Sequence, residues 1–127
     1  LLRRLLELDP SHTRGWVGLG VALGRMGDSS GAEEAFRAAV KASPADPWAQ
    51  KNLGGILIRQ GRPAEARPHL EAALKASPRD AHAWFLLGEA SAHLGDSPTA
   101  RAAYHQARQN DPNGPIGERA EQSLNRL

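Results

Sequence analysis

KASPAD at Lys41–Asp46 and KASPRD at Lys75–Asp80 are nearly identical and lie 34 residues apart, and QNDPNG at Gln109–Gly114 follows after 34 more. A regular repeat of this length determines the architecture of the whole chain, because each copy forms one structural unit. In this register the chain contains three complete copies, 13–46, 47–80 and 81–114. The sequence therefore predicts three stacked units within one domain.

The three copies agree at positions that serve helix packing and turns. The shared columns are Trp16, Gln50 and Trp84; Gly20, Gly54 and Gly88; Gly27, Gly61 and Gly95; Ala32, Ala66 and Ala100; Phe36, Leu70 and Tyr104; Ala39, Ala73 and Ala107; and Pro44, Pro78 and Pro112. Each copy is predicted to form a helix of about 14 residues, a turn at glycine and a second helix that ends before proline, which cannot continue a helix.

Composition supports an all-α fold. Residues that favour helices, such as Ala, Leu, Arg, Glu and Gln, fill most of the chain, whereas those that favour strands are scarce. We expect helix N-caps at Asp46, Asp80 and Ser97, each directly before a residue suited to a first helical turn. One helix pair cannot bury its own apolar face, so neighbouring pairs must stack to form the core.

These columns of Trp, Leu-Gly, Ala, Phe or Tyr, and Pro resemble the tetratricopeptide-repeat family over essentially the whole chain. The resemblance implies an alpha-alpha superhelix, which is a solenoid of antiparallel helix pairs. Two columns depart from the family pattern. Gln50 replaces the aromatic residue, and small or aliphatic residues stand where the family favours Tyr. We expect neither departure to change the fold.

The two ends are expected to complete the stack. Residues 1–12 match the second helix of a truncated preceding repeat, with Leu1, Leu5 and Leu8 forming an apolar stripe that lacks its natural partner. Because the chain also begins with Leu, we expect a fragment whose solenoid continues upstream and which self-associates through this helix. Residues 115–127 place apolar residues on one face of a predicted helix, which is expected to cap the last repeat.

Composition also argues against several classes of function. The chain has no Cys, so disulfides and thiolate metal sites are excluded. Its formal net charge is +2 and its Arg residues are dispersed, which does not suit nucleic-acid binding. No apolar run approaches the roughly 18 residues of a membrane-spanning helix, so we expect no direct membrane insertion.

The candidate chemical motifs have simpler structural explanations. His82 and His93 lie 11 residues apart on one predicted helix, roughly 16 Å, which is too far to share a metal ion. The glycines between Gly15 and Gly24 follow no strand, as a dinucleotide-binding loop would require. No nucleophile motif is present. We therefore expect that the chain is not an enzyme and binds no cofactor or metal.

In the tetratricopeptide-repeat family the first helix of each pair lines a concave groove, and the resemblance places a set of mixed but mostly basic residues there. The set is Arg14, Val17, Gly18, Val21, Arg25, Trp48, Lys51, Asn52, Gly55, Ile58, Arg59, His82, Phe85, Leu86, Glu89 and His93. Four cations oppose the single carboxylate of Glu89, which favours an acidic ligand. Trp48 and Phe85 are expected to be the apolar anchors.

One subgroup of the family binds the C-terminal carboxylate of heat-shock chaperones through Lys, Asn and Arg side chains at five groove positions. Only Asn52 matches that pattern here. The other four positions hold Val17, Val21, His82 and Leu86. The resemblance therefore does not imply binding of chaperone tails.

The leading hypothesis is a protein–protein interaction module that binds a peptide or protein segment in its groove. Two alternatives remain open at this point. The repeats could be a structural spacer or self-assembly element, or they could be the substrate-adaptor region of a larger enzyme. A basic groove that carries Trp favours the first hypothesis, since a spacer needs no such surface.

Overall fold

A computed structural model describes residues 12–127, and in this part of the chain it contains helices and no strand. The seven helices are α1 Thr13–Arg25, α2 Ser29–Ala42, α3 Pro47–Arg59, α4 Pro63–Ala76, α5 Ala81–His93, α6 Ser97–Asn110 and α7 Pro115–Arg126. The all-α prediction is confirmed. Residues 1–11, which include nearly all of the predicted truncated helix and its apolar stripe, lie outside the described residues.

Each pair turns at a glycine. Gly27, Gly61 and Gly95 have φ values of 84°, 76° and 76°, a left-handed conformation that costs glycine little. At every turn the amide after the glycine donates to a carbonyl five residues earlier, as Asp28 does to Leu23 at 2.9 Å. This Schellman arrangement satisfies the free carbonyls at the end of the first helix. The predicted turns are confirmed.

Aspartates cap the N-termini of four helices. Asp46 accepts from the amide of Trp48 at 2.9 Å, and Asp80 accepts from that of Ala83 at 3.2 Å. The prediction that Ser97 is a cap is wrong, because Asp96 caps α6 and Ser97 is its first helical residue. The fourth aspartate cap is Asp28 at the start of α2, which accepts from the amide of Gly31 at 2.8 Å.

The helices form an inner and an outer layer. The backbones of the first helices approach one another closely, α1 with α3 and α3 with α5, whereas those of α2, α4 and α6 lie further apart within residues 12–127. The stack is therefore tighter on the side of the first helices, which makes that side concave. Helix α7 contacts both α5 and α6, so it occupies the position of the first helix of a fourth pair.

A glycine in each first helix permits close contact with a large side chain of the second helix. A Cβ atom on Gly20, Gly54 or Gly88 would lie 2.6 Å from an atom of the facing side chain. The facing side chains are Phe36, Leu70 and Tyr104. All three are buried, so they cannot move aside without disturbing the core. The repeated Gly column is thus a packing requirement within each pair.

Gln50 takes over the role of the aromatic residue that it replaces. The indole Nε1 of Trp84 donates to the carbonyl of Pro78 at 2.7 Å, and Gln50 Nε2 donates to the equivalent carbonyl of Pro44 at 2.9 Å. Gln50 Oε1 also lies 2.8 Å from His69 Nδ1. Gln50 is buried, and these partners remove the cost of burying its amide. Trp84 and Trp16 are partly buried and pack against the core.

Ion pairs bridge the more widely spaced second helices. Glu33 on α2 accepts from Arg62 and Arg37, each at 2.8 Å, and Arg62 also pairs with Glu65 on α4 at 2.7 Å. Burial would raise the pKa of Glu33, but the hydrogen bonds from both arginines outweigh it and lower that pKa. Further along the stack, Arg67 pairs with the N-cap Asp96 at 2.8 Å, and the pKa of Asp96 is also lowered.

Two glycines of α1 provide a matched test of the packing requirement. Gly20→Ala should lower the melting temperature, because its new Cβ would meet Phe36, and overpacking of this kind costs about 1–3 kcal/mol. Gly18→Ala should leave the melting temperature unchanged or raise it, because nothing lies within 4 Å of its Cβ position and alanine favours helix. Circular dichroism melts compare them; equal melting temperatures would contradict the proposed role of the Gly column.

The lowered pKa values also predict sensitivity to acid. Carboxyl groups with pKa values lower in the folded than in the unfolded chain stabilise the fold above their ordinary pKa of about 4. That stabilisation is lost as the pH falls through the lowered values, so the melting temperature should drop below about pH 4. Glu33→Gln should reduce the drop in melting temperature below about pH 4. Glu34→Gln, at an exposed position with no ion pair within residues 12–127, should leave that drop unchanged. Identical profiles for the two variants would rule out the ion cluster as the cause.

Candidate functional site

The concave face holds a pocket of about 430 Å³ formed by α1, α3, α5 and α7. Its apolar lining includes Val21, Ile58 and Leu86, one from each of the three first helices. Gly55 widens the floor, since a Cβ there would only reach ordinary contact with Leu86 at 3.7 Å. A mostly apolar pocket with polar groups around it is the usual form of a ligand site.

Two predicted contact residues are less accessible than the sequence suggested. Val17 is completely buried, so it belongs to the core and offers no surface to a ligand. Phe85 lines the pocket but is only 4% exposed. Its ring packs against Tyr104, with centroids 5.8 Å apart, and the guanidinium of Arg119 lies over it at 4.6 Å. Phe85 therefore supports the pocket wall and is not the open anchor that was predicted.

The single carboxylate of the predicted set is already engaged. Glu89 lines the pocket and accepts a hydrogen bond from the hydroxyl of Tyr104 on α6. Burial and this interaction together raise the pKa of Tyr104, so its proton remains in place at neutral pH. Glu89 is therefore held toward the second helix, which limits its repulsion of an acidic ligand.

The four predicted cations differ in their surroundings. Lys51 donates to Asp80 at 2.9 Å, and both side chains are largely buried. Arg25 and Arg59 line the pocket and form no ion pair within residues 12–127. Arg59 Nη1 lies 3.8 Å from the Cβ position of Gly24, so the guanidinium lies beside α1. Arg14 is exposed but does not line the pocket.

Four further predicted positions lie outside the pocket or are held by contacts within their own helix. Trp48 is 47% exposed and lies at the N-terminal end of α3, beside the pocket and not in it. Asn52 lines the pocket, but its amide donates to the carbonyl of Trp48 at 2.8 Å within the same helix. His93 and Gly18 are exposed and do not line the pocket.

His82 lines the pocket among positive charges. Loss of hydration lowers the pKa of His82, and the charges of Lys51 and Arg119 lower it further, against an opposing contribution from Asp80. The ring is therefore neutral at neutral pH. Asp80 itself remains ionised, because the hydrogen bonds from Lys51 and from the amide of Ala83 lower its pKa more than burial raises it.

Sequence analysis missed five residues of the pocket lining, and Arg119 is the one among them with a charged side chain. It lies on α7, which was identified only as a cap, and the repeat register contains no fourth copy against which to align it. The helical spacing of α7 did indicate which face packs on the core, with Ala120 buried and Arg119 exposed beside it. That spacing gave no sign that α7 forms a wall of the pocket.

Two other kinds of site are absent from residues 12–127. No group of three or more His, Asp or Glu side chains could hold a metal ion. No described helix is both long and apolar enough to cross a membrane.

Comparison with known proteins identifies the class. The tetratricopeptide-repeat family model matches residues 1–47 and 51–115, so the chain belongs to this family. No curated protein matches by sequence. This fold is typically a non-catalytic protein–protein interaction module.

Several solved structures share the fold. A crystal structure of MamA has a TM-score of 0.88 at 23% identity, over 97% of this chain and 70% of that one. MamA from Desulfovibrio magneticus RS-1 has a TM-score of 0.86 at 27% identity, over 97% of this chain and 68% of that one. The first repeat domain of Spaghetti (RPAP3), bound to the HSP90 peptide SRMEEVD, has a TM-score of 0.85 at 19% identity, over 93% and 91%.

The burial of Phe85 predicts a structural role that a ligand contact would not have. Phe85→Ala should destabilise the chain by about 3 kcal/mol, because it removes buried contacts with Tyr104 and leaves a cavity. Trp48→Ala should cost about 1 kcal/mol or less, since that side chain is half exposed. Urea unfolding followed by circular dichroism gives both values. A Phe85 variant as stable as the Trp48 variant would show that the ring is not a structural support.

Proposed function

We propose that this chain binds an acidic peptide segment of another protein on its concave face, as a non-catalytic scaffold or adaptor. The observation that carries the proposal is the pocket between α1, α3, α5 and α7, which combines an apolar floor with the unpaired cations Arg25 and Arg59. The apolar floor supports affinity through burial, and the arginines support attraction of carboxylates during approach.

One structural relative binds an acidic peptide, which supports a peptide ligand for this fold. The RPAP3 repeat domain shares this fold over 93% of the chain and binds a seven-residue peptide that contains two Glu and one Asp. In this chain Val21 and Leu86 give the groove face an apolar character. We therefore propose a ligand with both acidic and bulky apolar residues, without assigning a chaperone tail.

The charge pairing of Lys51 changes its proposed role. Because Asp80 neutralises it, Lys51 contributes less long-range attraction than Arg25 and Arg59 do. Trp48 extends the contact surface beyond the pocket, since its half-exposed ring can cover a ligand residue on the N-terminal side of α3.

A display selection with random peptides would provide ligands to test this proposal. Gly55→Leu should weaken their binding by roughly tenfold or more, because the new side chain fills the pocket floor. Arg59→Glu should slow association and reduce its dependence on salt. Arg101→Glu, at an exposed position of α6 outside the pocket, should change neither property.

Affinities and association rates measured by biolayer interferometry at two salt concentrations would show whether the peptides bind in the groove. If the selected peptides bind all three variants as well as the parent chain, the groove is not the site. The spacer hypothesis would then be the better one.

A further inference from the structure

We propose that Lys51, His82 and Arg119 form a carboxylate subsite at the end of the groove that α7 closes, and that it binds the side chain of an Asp or Glu in an extended peptide with uptake of a proton. This inference rests on the proposed function, since it concerns the ligand of the same groove. The three residues come from α3, α5 and α7, and all line the one pocket.

Arg119 has free hydrogen-bonding capacity at this place. Its guanidinium lies over the face of Phe85 at 4.6 Å, and within residues 12–127 it forms neither an ion pair nor a hydrogen bond. An arginine stacked on an aromatic ring keeps its N–H donors at the edges of the guanidinium plane, where a carboxylate can accept two of them. The stack holds this donor set in place before a ligand arrives.

Lys51 and Asp80 leave a positive balance beside Arg119. The Lys51 ammonium is fixed by its 2.9 Å contact with Asp80, whose other oxygen accepts from the amide of Ala83 at the start of α5. Lys51 and Asp80 cancel each other, so Arg119 supplies the net charge of the cluster while His82 is neutral. Protonation of His82 adds a second net positive charge.

His82 links binding to pH. The charged groups that act on it are Lys51 from α3, Asp80 at the N-cap of α5 and Arg119 from α7. A carboxylate placed among these cations offsets their repulsion of the imidazolium form, so the pKa of His82 should rise in the complex. The complex then holds more protons than the free chain, and binding should strengthen as the pH falls from 8 toward 6.

We expect this subsite to prefer a side-chain carboxylate to a chain terminus. A terminal carboxylate is attached directly to the backbone, so the peptide chain itself would have to descend to the wall formed by Phe85 and Arg119. A Glu or Asp carboxylate sits on a short stem that can extend to this wall while the backbone remains above the floor. The apolar residues Leu86 and Ile58 on that floor then contact the residues on either side of the acid.

Three short peptides test the subsite directly, with the intact 127-residue chain labelled with ¹⁵N. The first is acetyl-Gly-Leu-Glu-Leu-Gly-amide, in which Glu is the only carboxylate. The second replaces Glu with Gln. The third is the Gln peptide with a free C-terminal carboxylate. NMR titrations at pH 8 and pH 6 give the affinity of each peptide, and the His82 imidazole signals give its pKa with and without peptide.

The Glu peptide should bind about fivefold more tightly than either Gln peptide, and more tightly at pH 6 than at pH 8. Arg119→Gln should remove most of the preference for Glu, and His82→Gln should remove the pH dependence. His93→Gln and Arg101→Gln, at exposed positions outside the pocket, are the matched controls and should behave as the parent chain. Unchanged α7 signals in the free Arg119 variant would show that the cap remains folded.

Equal binding of the Glu and Gln peptides would overturn the proposal, as would a pKa of His82 that does not change with the Glu peptide. Tighter binding of the free-terminus peptide would overturn it in favour of a terminal carboxylate. These failures differ from failure of the groove itself, because display-selected peptides that are blocked by Gly55→Leu but insensitive to Arg119→Gln and His82→Gln would retain the proposed function without this subsite.

Discussion

The contact between a glycine in the first helix of each pair and a large buried side chain in the second is the constraint on which this structure depends. With a hydrogen atom in place of a side chain at Gly88, the α5 backbone can lie against the ring of Tyr104, and the same arrangement recurs 34 and 68 residues earlier. Close packing within a pair sets the angle between its two helices. The apolar surface that this contact does not cover packs against the next pair. Repetition of one angle then produces a regular stack.

The difference between the inner and outer layers gives the stack its concave face. The first helices contact one another directly. Second helices stand further apart, and long charged side chains such as Arg62 span the distance to Glu33. Apolar contact therefore lies on the inside and ion pairing on the outside. The outer charges are largely satisfied within the chain, whereas the inner arginines are left available to a ligand.

Local sequence signals predicted the repeats well and the depth of individual side chains poorly. The glycine turns, the caps Asp46 and Asp80, and the helix pairs depend on residues close together in sequence, so spacing alone revealed them. Register assigned Val17 and Phe85 to the groove face, but it could not show that neighbouring repeats bury the first and that Arg119 covers the second. The pairing of Lys51 with Asp80 joins residues 29 positions apart, and no local pattern indicates it. Arg119 was missed for a similar reason, since α7 has no counterpart in the repeat alignment.

Gln50 shows what its column in the repeat actually requires. An amide and an indole have little in common in shape, yet both donate to the carbonyl of the proline six residues earlier. The position therefore demands a long side chain with an N–H donor, more than it demands an aromatic ring. A profile that scores only aromatic identity would undercount copies in divergent arrays of this kind, whereas one that scores donor capacity would retain them. In the design of repeat arrays, an oxidation-prone indole in this column can therefore be replaced by an amide. The replacement requires a partner such as His69 that forms a hydrogen bond with the amide oxygen.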